Sequence, residues 1–395
     1  MQKLRLAVLN TQPPTYLGGV ERRILETAKR LQTQVDTTVY SGTKGSVRHP
    51  TSVEGVSVVP MRSTDLVFPL DNWTFNRTLA KNWTLIKADV YEAHTASGYG
   101  LAAAFKKRGV RVPFVQTVHG VLADEHEQAR LRGGLSLRGR LANIFMGQLA
   151  EKEAESAREA TLVVTISQYS KQKIMEHYGV GAEKIRLVPN GVDSLRFTPE
   201  GDCIQTQKRI GLANRLCVLF VGRLIPRKGL SFLIEAAKRI LAEKREVLFV
   251  IVGDGPLRNR LEGDVKHAGL AGNFLFMGDV TDADLPALYR CCDLFAFPSI
   301  QEGQGIALLE AQASGKPVVA FNVSGVAEAV KNGETGVLVE PSVEALAGVL
   351  SRLLLDAELR YKLGGAGRAF VQKEFSWDLC DERMLAVYRE AIEMA

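Results

Sequence analysis

Short apolar runs alternate with longer amphipathic segments along the whole chain, and this alternation predicts strands separated by helices. The predicted strands of the first half are "KLRLAVLN", "VDTTVYSG", "VSVVPM", "DVYEAH", "PFVQTVHG", "TLVVTIS" and "IRLVPNG". Those of the second half are "CVLFVGR", "VLFVIVG", "NFLFMGD", "DLFAFPS", "KPVVAF" and "TGVLVEP". Segments such as "GGVERRILETAKRLQ" carry apolar residues at helical spacing between them. The pattern predicts an α/β fold in which helices cover both faces of parallel sheets.

The length of the chain favours more than one domain, since 395 residues exceed what a single core usually serves. Proline and glycine interrupt the pattern around "NGVDSLRFTPE", so we expect two Rossmann-like domains, residues 1–198 and 199–375. The closing segment, residues 376–395, is an amphipathic helix that packs either on its own domain or back on the first one. Parallel sheets bind ligands at the carboxyl ends of their strands, so the two domains are expected to face a central cleft.

The composition is typical of a water-soluble protein. Apolar residues make up 46% and charged residues 24% of the chain. No apolar run approaches the ~18 residues of a membrane-spanning helix, and the N-terminus fits a first strand better than a signal peptide. Five scattered cysteines without a CxxC pair indicate reduced thiols, so we expect a cytoplasmic protein.

Positive charge is concentrated in the first half of the chain. Residues 1–199 contain 27 Lys and Arg against 18 Asp and Glu, whereas residues 200–395 contain 23 against 26. The densest basic clusters are Arg130, Arg132, Arg138 and Arg140, and Lys106, Lys107, Arg108 and Arg111. They fit either a solvated face or a surface for an anionic acceptor or for anionic lipid at the inner face of the membrane. Nucleic acid is not expected, because no aromatic and basic stacking pattern accompanies them.

The stretch "PSIQEGQGIALLEAQASGKPVVA" joins a predicted strand to a helix through a glycine turn. Gly303 and Gly305 allow the backbone to approach a ligand closely, and a helix that starts near Ile306 offers unpaired N–H groups to an anion. Glu302 and Glu310 supply carboxylates that accept hydrogen bonds from hydroxyl groups. A sugar joined to a nucleoside diphosphate satisfies both features, whereas a capping acid and an exposed helical glutamate are the simpler alternative.

Three further strand ends carry residues suited to this chemistry. Arg223 and Lys228 lie in the loop of "FVGRLIPRKGLSF". Their charges either neutralise a phosphate group or belong to a basic loop exposed to solvent. Gly18 and Gly19 follow the first strand and permit close backbone approach, although a glycine pair is also typical of a plain turn. His119 ends the strand in "FVQTVHG" and either orients a sugar donor or is structural.

No metal site is expected. Asp282 and Asp284 form a DxD sequence in "TDADLPALY", but they directly precede a predicted helix, and capping explains them there. The sequence shows no second cluster of oxygen ligands, no histidine pair at metal spacing and no complete dinucleotide motif.

Taken together, these segments resemble the retaining family 4 glycosyltransferases of GT-B fold. The resemblance rests on "GGVER" at 18–22, "HG" at 119–120, "PNGVD" at 189–193, "VGRLIPRKG" at 221–229, "VGDGPL" at 252–257 and the two glutamates of "EGQGIALLE". It runs nearly from end to end. It implies an acceptor-binding first domain, a nucleotide-sugar-binding second domain and a last helix that returns to the first domain.

The resemblance also implies roles for individual residues. Glu310 is expected to hold the ribose hydroxyls, and Glu302 the sugar hydroxyls near C3. Arg223 and Lys228 are expected to neutralise the diphosphate, while His119 lies close to the transferred sugar. We therefore expect Glu302, Arg223, Lys228 and His119 to serve the reaction.

The remaining donor contacts come from the backbone and from two side chains. By resemblance, N–H groups near Gly305, Ile306 and Gly19 complete the phosphate site, and Val280 packs on the base. Gln304 stands where the family usually has an aromatic or small residue, and it could add a polar contact to the sugar.

The sequence thus predicts a retaining hexosyltransferase that moves a sugar from a nucleoside-diphosphate donor to a lipid-linked or oligosaccharide acceptor, without a metal or other cofactor. Two alternatives stay open. A nucleotide-sugar epimerase of the same fold would alter the sugar nucleotide without any acceptor, and a non-catalytic binder would hold it without turnover.

Overall fold

The computed structural model describes residues 3–15, 18–43, 48–64, 66–132, 137–243 and 246–395, with the backbone alone at residues 68, 132 and 137–141. The chain forms two compact units. Unit 1 comprises Met1–Pro189 together with Trp377–Ala395, and unit 2 comprises Asn190–Ser376. No described helix combines the length and the apolar composition needed to cross a membrane.

The described part of unit 1 is built on an eight-stranded sheet with the order β3-β4-β2-β1-β5-β6-β7-β8. Its strands are β1 (Leu4–Asn10), β2 (Val35–Ser41), β3 (Thr51–Val53), β4 (Val56–Pro60), β5 (Val90–His94), β6 (Phe114–Val118), β7 (Leu162–Thr165) and β8 (Ile185–Leu187). All neighbouring strands pair in parallel except β3 and β4. Strands β5, β6 and β7 are buried along their whole length, as expected for central strands of a parallel sheet covered on both faces.

The helices of unit 1 are α1 (Gly19–Arg30), α2 (Phe68–Lys81), α3 (Tyr99–Arg108), α4 (Leu122–Arg132), α5 (Leu137–Glu159), α6 (Gln168–Tyr178) and, at the end of the chain, α15 (Trp377–Met394). The last helix packs into the core of unit 1, where Trp377 and Tyr388 share a buried cluster with Ile24 of α1. Its outer side is held by an ion pair between Arg186 and Glu390. Helix α15 is therefore an integral part of this unit.

Unit 2 has a six-stranded parallel sheet with the order β11-β10-β9-β12-β13-β14. The strands are β9 (Leu216–Val221), β10 (Val247–Val252), β11 (Phe274–Gly278), β12 (Leu294–Phe297), β13 (Val318–Phe321) and β14 (Gly336–Val339). The helices are α7 (Ile204–Arg209), α8 (Leu230–Glu243), α9 (Arg258–His267), α10 (Leu285–Cys291), α11 (Ile306–Ala313), α12 (Val326–Ala329), α13 (Val343–Leu355) and α14 (Ala357–Glu374). Apolar clusters cover both faces of the sheet, and β10, β12 and β13 are buried along their whole length.

Residues 190–198 belong to unit 2, although the sequence pattern placed the boundary after them. Val192 donates its N–H to the carbonyl of Phe375 over 2.7 Å. Phe197 packs edge-to-face on Tyr289, with ring centroids 5.6 Å apart. These contacts join distant parts of the chain, so proline and glycine content alone does not locate the division.

The α/β prediction is confirmed, and each of the thirteen predicted strands overlaps a strand of the structure. The strands end earlier than the apolar runs suggested, because the last residues of several runs form loops. Strand β3 was missed. It pairs with β4 through a turn in which Glu54 and Gly55 have φ of 49° and 86°, and its short, exposed sequence "TSV" carries little apolar signal.

A buried carboxyl group lies in the helical layer of unit 1. Glu153 of α5 is fully buried, and one of its oxygens accepts hydrogen bonds from the Tyr178 hydroxyl and from the N–H of Leu122. Burial raises the pKa of Glu153 to about 8, although these hydrogen bonds oppose the shift. The group is therefore protonated in the folded protein at neutral pH.

This carboxyl group makes the stability of unit 1 depend on pH. The unfolded chain releases the Glu153 proton near its ordinary value of 4.5, whereas the folded unit keeps it up to about 8. The free energy of unfolding is therefore expected to fall as the pH rises through that window, by up to about 1.4 kcal/mol per pH unit. Glu153→Gln should remove this dependence.

Tryptophan fluorescence during urea unfolding measures the effect, since all three tryptophans, Trp73, Trp83 and Trp377, lie in unit 1. Glu155→Gln on the same helix is the control, because Glu155 is about half exposed and pairs with Lys152. Parallel pH profiles for the wild type and Glu153→Gln would contradict the assignment.

Candidate active site

The strand order of unit 2 reverses between β9 and β12. Strands β10 and β11 follow on one side of this point, and β13 and β14 on the other. In open parallel sheets, ligands bind at the carboxyl ends of the strands at this reversal. The loops that leave β9 and β12 here are residues 222–229 and 298–305, which contain most of the donor residues predicted from the sequence.

Glycines hold the strand-end loops together at backbone distance. Gly229 has φ of 66°, and a Cβ atom there would lie 1.8 Å from the carbonyl oxygen of Pro298. Gly253, after β10, has φ of 116°, and its Cβ would lie 2.2 Å from the carbonyl oxygen of Gly222. Residues with side chains do not fit such positions, so the glycines fix the shape of this edge.

Glu302 is buried beside two cations. Its Oε1 forms an ion pair with the ammonium of Lys228 and lies 3.2 Å from Nη1 of Arg227. Burial by itself would raise the pKa of Glu302, but Lys228 and then Arg227 outweigh it, and the pKa lies below its ordinary value. Lys228 also lies over the ring of Phe297 at 5.1 Å. A charged carboxylate and a fixed ammonium therefore meet at the end of β12.

Arg227 was not among the predicted site residues. It precedes Lys228 in "PRKG", and adjacent residues in an extended loop would point to opposite sides. The short 3₁₀ turn Pro226–Lys228 brings both charges to the same carboxylate. Its proline is the local signal that could have indicated such a turn.

Glu310 lies in the second turn of α11 and is also buried. Its Oε2 accepts a hydrogen bond of 2.9 Å from the hydroxyl of Tyr289, a fully buried residue of α10. The two glutamates of the motif are thus held separately, one by cations and the other by a phenol. Tyr289 was missed because it lies 21 residues away from its partner.

Helix α11 starts immediately after the glycine turn. Gly305 is its N-cap residue with φ of 88°, and Ile306 is the first helical residue. The N-terminal N–H groups and the positive end of the helix dipole are oriented toward the turn of Gly303. This combination favours binding of an anion such as a phosphate group.

Gln304 is engaged within unit 2 by its own side chain. Its Oε1 accepts from the N–H of Asn190 over 2.8 Å, and its Nε2 donates to the carbonyl of Asn190 over 3.3 Å. The residue is 2% exposed. The expected polar contact to a sugar would therefore require this pairing to break, and the geometry favours a structural role that anchors residue 190.

The other predicted donor residues lie around the same loops. Arg223 follows β9 and is exposed, in the loop that also carries Lys228. Val280 follows β11, is partly buried and packs against the apolar cluster on one face of the sheet. In unit 1, Gly18 is extended and precedes α1, which begins at Gly19 without a side-chain cap.

His119 follows β6 in unit 1, and a second histidine lies beside it. Nε2 of His119 is 2.8 Å from Nδ1 of His94, the last residue of β5. Burial lowers the pKa of His94 to about 4, although the negative charge of Glu92 acts to raise it. Burial, with His94 and Arg23, also lowers the pKa of His119. Both imidazoles are therefore neutral at pH 7, and His94 was not predicted.

The DxD sequence forms arginine ion pairs. Asp284 lies 3.0 Å from Arg209, and Asp282 lies 3.3 Å from Arg196. Asp284 is the N-cap residue of α10, as predicted, but its side chain makes no capping hydrogen bond, and its own N–H donates to the hydroxyl of Thr281. No group of three or more His, Cys, Asp or Glu in the described chain is placed to hold a metal ion.

The basic clusters of unit 1 are only partly described. Lys106, Lys107 and Arg108 form the last turn of α3, where positive charge stabilises the helix end. Lys106 is paired with Glu159 at 2.6 Å. Arg130 is exposed on α4, and the side chains of Arg132, Arg138 and Arg140 lie outside the described residues.

Comparison with known proteins agrees with this arrangement. The family model "Glycosyl transferases group 1" matches residues 205–370, and "Glycosyltransferase Family 4" matches residues 17–196. D-inositol 3-phosphate glycosyltransferase of Salinispora arenicola is 32% identical over 95% of this chain and 88% of its own length. The chain belongs to the family 4 glycosyltransferases. It is a transferase that takes its sugar from a nucleoside-diphosphate donor.

Two further likenesses bear on this glycosyltransferase. The GDP-mannose-dependent α-(1-6)-phosphatidylinositol monomannoside mannosyltransferase of Mycobacterium tuberculosis is 33% identical over 64% of this chain and 69% of its own length. HepE of Anabaena, solved with UDP and glucose, has a TM-score of 0.80 at 23% identity and covers 98% of this chain and 100% of its own. The second likeness supports the GT-B fold.

We expect Gly229 to be essential for the conformation of the loop after β9, residues 222–229. Gly229→Ala places a methyl group against Pro298 and strains a positive φ, so unit 2 should lose more than about 1 kcal/mol of stability. Hydrogen exchange of unit 2 peptides in the full chain measures this loss.

Gly263→Ala is the matched control, because Gly263 lies inside α9 with open space around its Cβ position. It should raise helix stability by about 0.5–1 kcal/mol. Equal exchange protection in the two variants would show that the loop relaxes around the methyl group.

Proposed function

We propose that the protein transfers a hexosyl group to a lipid-linked or oligosaccharide acceptor with retention of the anomeric configuration. In this proposal unit 2 binds the nucleotide sugar and unit 1 binds the acceptor. The observation that carries the proposal is the meeting of a helix N-terminus with the buried Glu302 and Glu310 at the strand-order reversal of unit 2. An anion site beside fixed hydroxyl acceptors suits the diphosphate and the sugar rings of one donor.

The diphosphate is assigned to the N-terminus of α11. The backbone at Gly305 and Ile306 donates to its oxygens, and Lys228 and Arg223 neutralise its charge, with Gly19 of unit 1 completing the phosphate contacts. Negative charge on the departing diphosphate grows as the anomeric bond breaks, so groups fixed before the reaction stabilise the transition state. The ion pair with Glu302 fixes Lys228 in this way.

The remaining contacts orient the two sugars and the base. Glu310, whose carboxylate is held by Tyr289, accepts from the ribose hydroxyls. Glu302 accepts from hydroxyls of the transferred sugar near C3, Val280 packs on the base, and His119 contacts the transferred sugar. Each carboxylate is held in place before the donor binds, which reduces the conformational entropy that is lost on binding.

Retention follows if the acceptor attacks from the face that the diphosphate leaves. The acceptor hydroxyl oxygen forms a bond to the anomeric carbon, and the bond from that carbon to the diphosphate oxygen breaks. The hydroxyl proton passes to the departing diphosphate oxygen. This route needs no enzymic nucleophile, and its charge is balanced by Lys228, Arg223 and the helix end.

One relative supports a lipid-linked acceptor, since its name says that it acts on phosphatidylinositol monomannoside. Another relative is named for D-inositol 3-phosphate, which carries no lipid. A lipid-linked acceptor would place this protein in the cytoplasm at the inner face of the membrane, with the basic side of unit 1 toward anionic headgroups.

The donor site is tested by Glu310→Gln, which keeps the shape of the side chain and removes its charge. Calorimetry with UDP, GDP and ADP should show binding of at least one nucleotide to the wild type. The variant should bind that nucleotide about 10- to 100-fold more weakly, because a charge-assisted hydrogen bond to ribose is lost. Mass spectrometry of nucleotide-sugar panels should show slower donor hydrolysis.

Glu235→Gln is the control, since Glu235 on α8 is exposed and forms an ion pair with Lys238. It should behave as the wild type. Absence of heat with all three nucleotides at millimolar concentration would overturn the proposed function.

Membrane contact is tested separately. Replacing Arg130, Arg132, Arg138 and Arg140 by Gln should weaken binding to vesicles rich in anionic lipid, with a loss that grows at low ionic strength. Sedimentation of the protein with vesicles measures it, and neutral vesicles are the control. If the wild type does not sediment with anionic vesicles, the membrane assignment is wrong.

A further inference from the structure

We propose that His94 is a positioning residue that fixes the tautomer of His119, and that Tyr388 of the last helix anchors this pair through Glu92. The inference rests on the proposed function, in which His119 contacts the transferred sugar. All four residues lie in unit 1. The family resemblance pointed to His119 alone, and the other three emerge from the packing of β5, β6 and α15.

The four side chains form one buried series. The Tyr388 hydroxyl donates to Oε2 of Glu92 over 2.6 Å, and the Thr117 hydroxyl donates to Oε1 over 2.6 Å. Nε2 of His94 lies 3.4 Å from the same Oε1, and Nδ1 of His94 lies 2.8 Å from Nε2 of His119. Glu92, His94 and Tyr388 are each at most 3% exposed. Solvent therefore does not compete for these contacts.

The donor-to-acceptor direction of these contacts determines which ring nitrogen of each histidine carries the proton. Both oxygens of Glu92 accept hydrogen bonds, so the nearby Nε2 of His94 is stable as N–H and unstable as a lone pair facing the carboxylate. A neutral His94 with its proton on Nε2 has a bare Nδ1, which must accept. His119 must then donate from Nε2, and its own Nδ1 carries the lone pair.

The neutral state of both rings has a second cause. The guanidinium of Arg23, which is 1% exposed, lines the same small cavity as Glu92, His94 and Tyr388. Burial of the rings lowers the pKa of both histidines, and the charge of Arg23 adds to this shift. Protonation of either ring would add a cation in the field of Arg23. Protonation of His94 would also remove the Nδ1 acceptor that His119 requires, and protonation of His119 would remove the lone pair on its own Nδ1.

This arrangement suits the chemistry of a sugar donor. Glycosyl transfer develops positive charge at the anomeric carbon, so a neutral His119 with an exposed lone pair is better placed there than an imidazolium. The lone pair also orients a sugar hydroxyl by accepting its hydrogen. The opposite tautomer would present an N–H to the same hydroxyl and reverse its direction.

The first test reads the tautomer directly in the full chain without substrate. Protein labelled with ¹⁵N-histidine contains six imidazoles, and His94→Asn and His119→Asn assign the two of interest. We expect proton-coupled spectra to show neutral His119 and neutral His94, both protonated at Nε2. Protonation of His119 at Nδ1 in the wild type would overturn the inference.

The second test measures the effect on turnover. In His94→Asn the side-chain oxygen can replace Nδ1 as the acceptor, whereas His94→Leu offers none. We expect kcat to fall roughly 10- to 100-fold in His94→Leu, with much less change in KM for the donor, and to recover substantially in His94→Asn. Equal kcat in the leucine variant and the wild type would contradict the positioning role.

Tyr388→Phe tests the anchor at the far end of the series. It removes one hydroxyl from a buried tyrosine, and Tyr91→Phe is the matched control, because Tyr91 is buried on β5 and its hydroxyl donates to the carbonyl of Ile86. Only Tyr388→Phe should broaden or shift the His119 ring resonances. Identical spectra in both variants would remove Tyr388 from the series.

Failure of this inference is distinguishable from failure of the proposed function. Nucleotide binding by unit 2 should be the same in the wild type and in the His94 variants, because the donor diphosphate is assigned to α11. If the nucleotide binds but His119 has the other tautomer, the positioning role of His94 is wrong and the proposed donor site is still supported. If the tautomer is as expected but the nucleotide does not bind, the proposed function fails.

Discussion

The buried ion pair between Lys228 and Glu302 is the central contact at the edge of unit 2 where the donor is proposed to bind. A carboxylate removed from water is stable only with a counter-charge, and removal of one partner leaves the other uncompensated. The pair joins the loops after β9 and β12, which Gly229 brings into backbone contact, and Gly253 brings the loop after β10 against the loop after β9. Charge pairing and close backbone approach therefore act on neighbouring residues, since Gly229 directly follows Lys228.

Unit 1 uses charge in the opposite way. Its buried histidines are kept neutral, and the neighbouring Glu92 accepts from hydroxyl groups. The two units thus differ in the charge state of their buried polar groups. Unit 2 concentrates cations and a helix N-terminus where a diphosphate is proposed to bind, and unit 1 keeps the two histidines beside the end of β6 uncharged.

The sequence predicted the strands well because buried parallel strands are continuous apolar runs, and it located the glycine turn and the glutamate pair because these are local. It did not reveal Tyr289 as the partner of Glu310, Asn190 as the partner of Gln304, or Tyr388 as the partner of Glu92. Those contacts span 21, 114 and 296 residues. Such pairs are determined by sheet order and helix packing, which a local pattern does not specify.

The return of α15 to unit 1 affects how the chain acquires its structure. Synthesis produces the sheet of unit 1 first, yet Trp377 and Tyr388, which complete its core, follow after all of unit 2. Unit 2 is continuous in sequence and can fold as soon as it leaves the ribosome. The core of unit 1 has an exposed apolar groove until α15 has been synthesised. Loss of the last twenty residues in a prematurely terminated chain would therefore expose the interior of the domain made first.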